Sequence, residues 1–300
     1  MNASPDRMGA APAEAHSVWL PVGVGLVILA LILGTMLQGG ELGHRSVAEM
    51  SMDVPFGQDV DRVRLEVDSG TVGIGPGTDG IAACAIGVRR AANTAEDLAK
   101  IEQVPFQLEP VADPARPRTL ILRGPKLPAG VSGVLSLELT VRLPTGLPVE
   151  VVVAGSGHVT VGEWRAPVEV ATGRGDLRFE RCQASVSART GRGMVIAFDH
   201  RGDLDILTQI GDMQAFVAAP GAKLRLVSGQ GNVQCGVPAD TPFDLDARTE
   251  MGRVGADFGL TSSKVGEFGA ALVGRQGAAT CEVVLRTGKG FVSFQAKKFD

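Results

Sequence analysis

Glu169 and Asp205 are the two residues of this sequence best spaced for chemistry. Each stands six residues before a glycine, Gly175 and Gly211. If those glycines mark equivalent points of a repeat, the two carboxylates share an outward face two strands apart, at ~9.6 Å. That is near the upper end of the separation with which an inverting glycosidase admits a water between its general acid and general base. The same column reads Glu169, Ser187, Asp205, Arg225, Asp246, so both signs are present and Asp205 neighbours Arg225. A solvated ladder of opposite charges fits that composition better than an acid–base pair. No catalytic residue is assigned.

The other chemical candidates are weaker. His158 and His200 read as solvent-exposed turn residues, without the neighbours that a metal or nucleophilic site needs. The cysteines, Cys84, Cys182, Cys235 and Cys281, are widely spaced and form no Cys-x-x-Cys pair, which speaks against zinc. Two disulfides are possible outside the cytoplasm, but small buried apolar side chains are the simpler reading. Gly73 to Gly80, "GIGPGTDG", is glycine-rich but lacks the helix that would use it to cradle phosphate. No Walker sequence, His-Glu-x-x-His or Gly-x-Ser-x-Gly elbow occurs. No cofactor and no metal is expected.

Arg-Gly-Asp occurs twice, at Arg174 to Asp176 and at Arg201 to Asp203. The repeat explains both copies without a receptor. Gly175 is one of a series of glycines: Gly157, Gly175, Gly193 and Gly211 lie 18 residues apart, and Gly231, Gly252, Gly290 and the early Gly70 extend the pattern. Asp176 then shares a turn slot with Asp212 and Asn232, where a short side chain bonds nearby N–H groups. Gly202 falls at the opposite corner, nine residues after Gly193.

The flanks of these glycines align. Two residues on stand Val72, Val159, Leu177, Val195, Met213, Val233, Val254 and Val292, with a second apolar column two residues further. Seven and five residues before stand pairs such as Val168/Val170, Val186/Ala188 and Leu204/Ile206; the Gly157 unit alone slips by one register. Spacing of two marks one inward face of a strand. Three residues before the glycine runs a hydroxyl column: Thr172, Thr190, Thr208, Ser228, Thr249 and Thr287. Stacked hydroxyls pair with one another and with turn backbone. Each unit is therefore expected to be strand, glycine turn, strand and looser turn. The fold class expected is all-β, a β-solenoid of stacked ~18-residue rungs.

Composition agrees with strands. Of 300 residues 40 are glycine, only 4% are aromatic, and Val, Leu and Ala dominate the apolar 44%. Net charge is −4, from 29 basic and 33 acidic residues with no basic run, so nucleic acid is not an expected partner.

With these repeats the sequence resembles the bacterial putative adhesin domain family, whose sheet-forming units read Ser/Thr-Gly-x-Gly-x-Val and which is related to autotransporter-adhesin-like head domains. The match is clearest in Leu137 to Val161, "LELTVRLPTGLPVEVVVAGSGHVTV", with its first Gly-x-Gly turn at Gly155-Ser156-Gly157. It covers about residues 60 to 298. The resemblance implies a large extracytoplasmic domain, often carried on an N-terminal membrane anchor; a non-catalytic role is expected from the anchor, the repeat and the lack of a catalytic motif.

The amino-terminal region suits such an anchor. Val18 to Leu37, "VWLPVGVGLVILALILGTML", is twenty residues without a charge, enough to cross a bilayer as one helix. The expected organisation is a polar tail (1–17), a transmembrane helix (18–38), a linker (39–57), a β-rich region capping the solenoid (58–143) and the repeats (144–300). Within the cap, Thr94 to Gln103 is expected to be a short helix capped by Thr94, with Leu98 and Ile101 on one face. Leu260 to Ala279 reads as a loop or insert. The function expected is a single-pass, membrane-anchored module offering flat sheet faces to a surface protein or a glycan. The alternatives are a carbohydrate-active β-helix enzyme using Glu169 and Asp205, and an envelope-stress or signalling regulator.

Overall fold

A computed structural model describes Ile28, Leu29 and residues 43–299, apart from 58, 79, 106, 107 and 117. Almost all regular structure is strand. From the amino terminus these are β1 (Ile28–Leu29), β2 (His44–Pro55), β3 (Arg62–Val67), β4 (Gly70–Pro76) and β5 (Ile81–Ala92), followed by helix α1 (Ala95–Glu102). Then come β6 (Glu109–Ala112), β7 (Thr119–Arg123), β8 (Gly133–Leu143), β9 (Val149–Gly162), β10 (Val168–Arg174), β11 (Leu177–Glu180) and β12 (Val186–Arg192). The long β13 (Val195–Ile210) and β14 (Met213–Gln230) precede β15 (Val233–Pro238), β16 (Phe243–Met251) and β17 (Val254–Ala256). Last are β18 (Ser263–Val265), β19 (Gly269–Gln276), β20 (Cys281–Lys289) and β21 (Val292–Lys297). Helix α1 begins as the sequence dictates: the Thr94 hydroxyl accepts the Asp97 N–H at 3.1 Å, and Ile101 is buried.

The solenoid expected from the sequence is not the architecture found. Strands β9, β10, β12, β13 and β11 pair in parallel and close on themselves, forming a five-strand parallel barrel with the remaining strands outside it. Closure is possible because β9 and β13 are long enough to bend. The first half of β9 pairs with β10 and its second half with β11; β13 likewise serves β11 and then β12. Chain order also fails at both ends. Strands β20 and β21 insert between earlier ones, so that β20 lies between β14 and β16, and β21 between β15 and β17. Strands β3 and β4 sit between β9 on one side and β7 and β8 on the other. Beyond them β8, β5 and β2 run antiparallel, as do β16, β19 and β18 at the far end. Leu260 to Ala279 thus contains the β18–β19 hairpin rather than a loop.

The apolar columns nonetheless converge inside. Val168, Val186, Leu204, Leu224, Val283 and Leu245 are neighbours in register, and all are buried. The slip before Gly157 is an irregularity in β9, where the register with β10 shifts between Thr172 and Arg174. The turn glycines stack: a Cβ on Gly175 would lie 1.8 Å from the Gly157 carbonyl oxygen, at a φ of +135°. Only glycine fits so close an approach. The hydroxyl column satisfies these turns instead of pairing with itself. Thr190 donates to the Gly175 carbonyl at 3.2 Å, Ser228 to Gly211 at 3.0 Å and Thr287 to Gly231 at 2.8 Å.

The transmembrane helix expected over 18–38 is also corrected. No helix among the described residues is long and apolar enough to cross a membrane. Most of the stretch lies outside those residues, and the two that are described, Ile28 and Leu29, are extended and pair antiparallel with Met50 and Glu49 of β2. A backbone hydrogen-bonded to a strand is not part of a spanning helix, so a single-pass membrane location does not stand. Residues 1–17 lie outside the described residues.

Candidate binding faces

The strands present two outward faces, meeting at the glycine corner and at a second corner opposite. On the first face Glu169, Ser187 and Asp205 are adjacent in register on β10, β12 and β13, as the repeat requires. Their chemistry is that of the charge ladder. Arg62 lies 3.6 Å from Glu169, while Asp205 takes Arg225 at 3.0 Å and Lys223 at 3.5 Å. These exposed groups are matched by cations rather than held apart around a water.

The Arg-Gly-Asp aspartates are likewise engaged. Asp176 accepts the Met194 N–H at 2.8 Å, Asp212 the Asn232 N–H at 2.7 Å, and Asn232 the Phe291 N–H at 2.9 Å. Each turn side chain therefore caps the equivalent turn of the neighbouring strand. His158 enters the same ladder, its Nδ1 accepting the Asp176 N–H at 3.2 Å. Asp203 accepts the Lys223 N–H at 3.0 Å. Both carboxylates thus have a structural part in the turns that accounts for their presence without a receptor.

The second corner was expected, but not the buried residues that line it. Glu163, Arg181 and Asp199 take left-handed backbone, with φ of 57°, 51° and 49°, and the residue after each turns inward: Trp164, Cys182 and His200, all buried. Their 18-residue spacing was in the sequence, but the column mixes an indole, a thiol and an imidazole, so no shared chemistry marked it. His200 is thereby corrected from an exposed turn residue to a fully buried one.

His200 Nε2 lies 3.0 Å from the Asp203 carbonyl oxygen. A carbonyl can only accept, so Nε2 carries the proton, and the buried Nδ1 has no protein partner. Burial holds the imidazole below its ordinary pKa of 6.5. The folded form thus binds its proton later than the unfolded form as pH falls. Above about pH 6.5 the group contributes no pH dependence; below it stability declines, by about 1 kcal/mol per pH unit until the folded imidazole protonates. Urea midpoints between pH 7.5 and 5.5 should show this decline, and His200→Gln should flatten it.

The four cysteines are buried and unpaired. Burial pushes the Cys84 thiol up to about 12, and Cys182 and Cys281 to about 11. Such thiols are protonated at neutral pH and unsuited to nucleophilic work. No group of three or more His, Cys, Asp or Glu able to hold a metal occurs among the described residues.

The second face carries the most conspicuous unpaired apolar group. Phe198, 53% exposed, and Phe216 stand in register on β13 and β14, edge to face with centroids 6.3 Å apart. The next positions across are Gly236 on β15 and Gln295 on β21. Gly236 lets Lys297 and Phe216 close over it: a Cβ there would meet Lys297 Cγ at 2.7 Å and Phe216 Cδ1 at 2.9 Å. Lys297 places its ammonium 5.1 Å from the Phe216 centroid. Beside the glycine, Gln234 donates to Gln295 at 2.9 Å and Gln295 to the Ser293 hydroxyl at 3.0 Å. The result is an open depression of about 340 Å³ bounded by Phe198, Asp199, Phe216, Lys297, Lys298 and Phe299.

No family matches the chain, and no curated protein matches it. Solved structures similar to it include a putative cell adhesion protein from Clostridium sporogenes, at 13% identity and TM-score 0.32, covering 84% of this chain and 100% of that one. Another is a putative adhesin from Bacteroides fragilis, at 11% identity and TM-score 0.41, covering 82% and 96%. A third is a putative lipid binding protein from Parabacteroides distasonis, at 10% identity and TM-score 0.28, covering 83% and 97%. Two of these three are described as adhesion proteins, each at low identity to this chain.

Proposed function

We propose that this protein is a non-catalytic, adhesin-like binding module that recognises a glycan on the Phe198–Phe216 face. The observation that carries the reading is an aromatic pair, Phe198 exposed and Phe216 half-buried, near an ordered amide–hydroxyl network on the same sheet face. Phenyl rings offer apolar area to the C–H face of a sugar, while the half-buried amides of Gln234 and Gln295 supply donors and acceptors for its hydroxyls. The exposed Phe198 ring packs against no core, so it contributes little to folding and is free to meet a ligand. The ion-paired carboxylates and protonated thiols support a binding role over a catalytic one.

Phe198→Ala should weaken retention of the bound glycan at least tenfold on a glycan array, a difference of about 1.4 kcal/mol. The urea midpoint should hardly move, because surface truncations away from core features cost within about 0.5 kcal/mol. Glu169→Gln and Asp205→Asn should leave retention intact. Glycan cleavage by the wild type that either of these variants abolished would defeat the proposal.

A further inference from the structure

A second site lies on the other face. Between the charge ladder and the glycine corner, outward residues of five adjacent strands form a shallow groove: Val152, Ala171, Leu207 and Val227 on its floor, with Arg189 standing among them. Gly173 and Gly191 keep its corner wall low. Just past that wall, at the glycine corner and outside the groove's lining, Arg174 and Arg192 are directly opposite one another in register on β10 and β12. Like charges directly opposed on a sheet destabilise it. Elsewhere on this face arginines are matched to carboxylates: Arg64 to Glu150 at 3.2 Å, Arg123 to Glu66 at 2.8 Å, Arg225 to Asp205 at 3.0 Å and Arg286 to Asp246 at 2.8 Å. Among the described residues, Arg174, Arg189 and Arg192 make no side-chain hydrogen bond or ion pair.

We propose that this groove binds an acidic oligosaccharide, its carboxylates on Arg174, Arg189 and Arg192 and its C–H faces on the apolar floor. The three unmatched arginines are carried on two adjoining strands, which lie ~4.8 Å apart, and each guanidinium can take a carboxylate through two parallel N–H bonds. The floor selects among polyanions. It offers aliphatic surface and no aromatic ring for a base to stack on, which disfavours a nucleic acid. It is recessed beside the charges rather than projecting from them, which disfavours insertion into a bilayer.

The site is separate from the Phe198–Phe216 face, and its test separates the two. Binding of an oligogalacturonate would be measured by calorimetry at low and at physiological salt, with a neutral oligogalactoside and anionic phospholipid vesicles as comparisons. The expected result is oligogalacturonate binding that weakens with salt, falls about tenfold in Arg189→Gln and further in the Arg174→Gln/Arg192→Gln double variant, and persists in Phe198→Ala and in the control Arg142→Gln. Circular dichroism confirms that each variant is folded. No binding to the oligogalacturonate, equal loss in Arg142→Gln, loss in Phe198→Ala in place of the arginine variants, or tighter binding to the vesicles would each overturn the proposal.

Discussion

Gly175→Val is expected to cost about 3–5 kcal/mol of folding stability, enough to leave a marginal domain largely unfolded. Two effects add. The native φ of +135° is one that a β-branched residue adopts only under strain. The new Cβ would also sit 1.8 Å from the Gly157 carbonyl oxygen, so the backbone of the neighbouring strand must move. Gly193 stacks on Gly175 in the same manner, its own Cβ position 2.0 Å from the Gly175 carbonyl, so displacement cannot stay local. Urea denaturation followed by circular dichroism measures the loss. Gly146→Ala is the control: nothing lies within 4 Å of a Cβ there, and its midpoint should shift little.

Trp164→Ala should be comparably damaging, at about 3–5 kcal/mol. Trp164 is fully buried at the head of the second-corner column and donates from Nε1 to the Leu147 carbonyl at 3.0 Å. Truncation removes the largest buried side chain in the chain's core and leaves that carbonyl without its partner. Trp164→Phe refills most of the volume without restoring the hydrogen bond, so its thermal midpoint should fall between those of the wild type and Trp164→Ala.

Much of the interior was legible in the sequence because a strand advertises itself by period two and a repeat by equal spacing. The columns through Val168, Val186 and Leu204, the turn glycines and the Thr94 cap all emerge from spacing alone. The arrangement of the strands did not. An 18-residue period says that equivalent residues stack, but not in what order, nor whether the pairings close. The insertion of β20 between β14 and β16 depends on long-range pairing that leaves no local mark, and closure depends on the bends in β9 and β13. The uncharged run from Val18 to Leu37 looked like a spanning helix because hydropathy reads composition, and it is blind to the extended pairing of Ile28 and Leu29 with β2.

The sites were legible only in part. Glu169 and Asp205 fall on one face as spacing required, and Arg225 neighbours Asp205 as the column implied, but Arg62 reaches Glu169 from a distant strand. Phe198 and Phe216 are 18 residues apart, yet they lie outside the columns that the glycines define, and Lys297 and Gln295 reach them from the opposite end of the chain. Cross-strand neighbours distant in sequence are what a single sequence conceals best.

The most direct test of the account is a glycan array probed with the wild type, Phe198→Ala and Phe216→Ala, each shown to be folded. The account predicts selective retention of a glycan by the wild type and its loss in both phenylalanine variants, without release of cleaved product. Retention unchanged in both variants, or no glycan bound by the wild type, would contradict it.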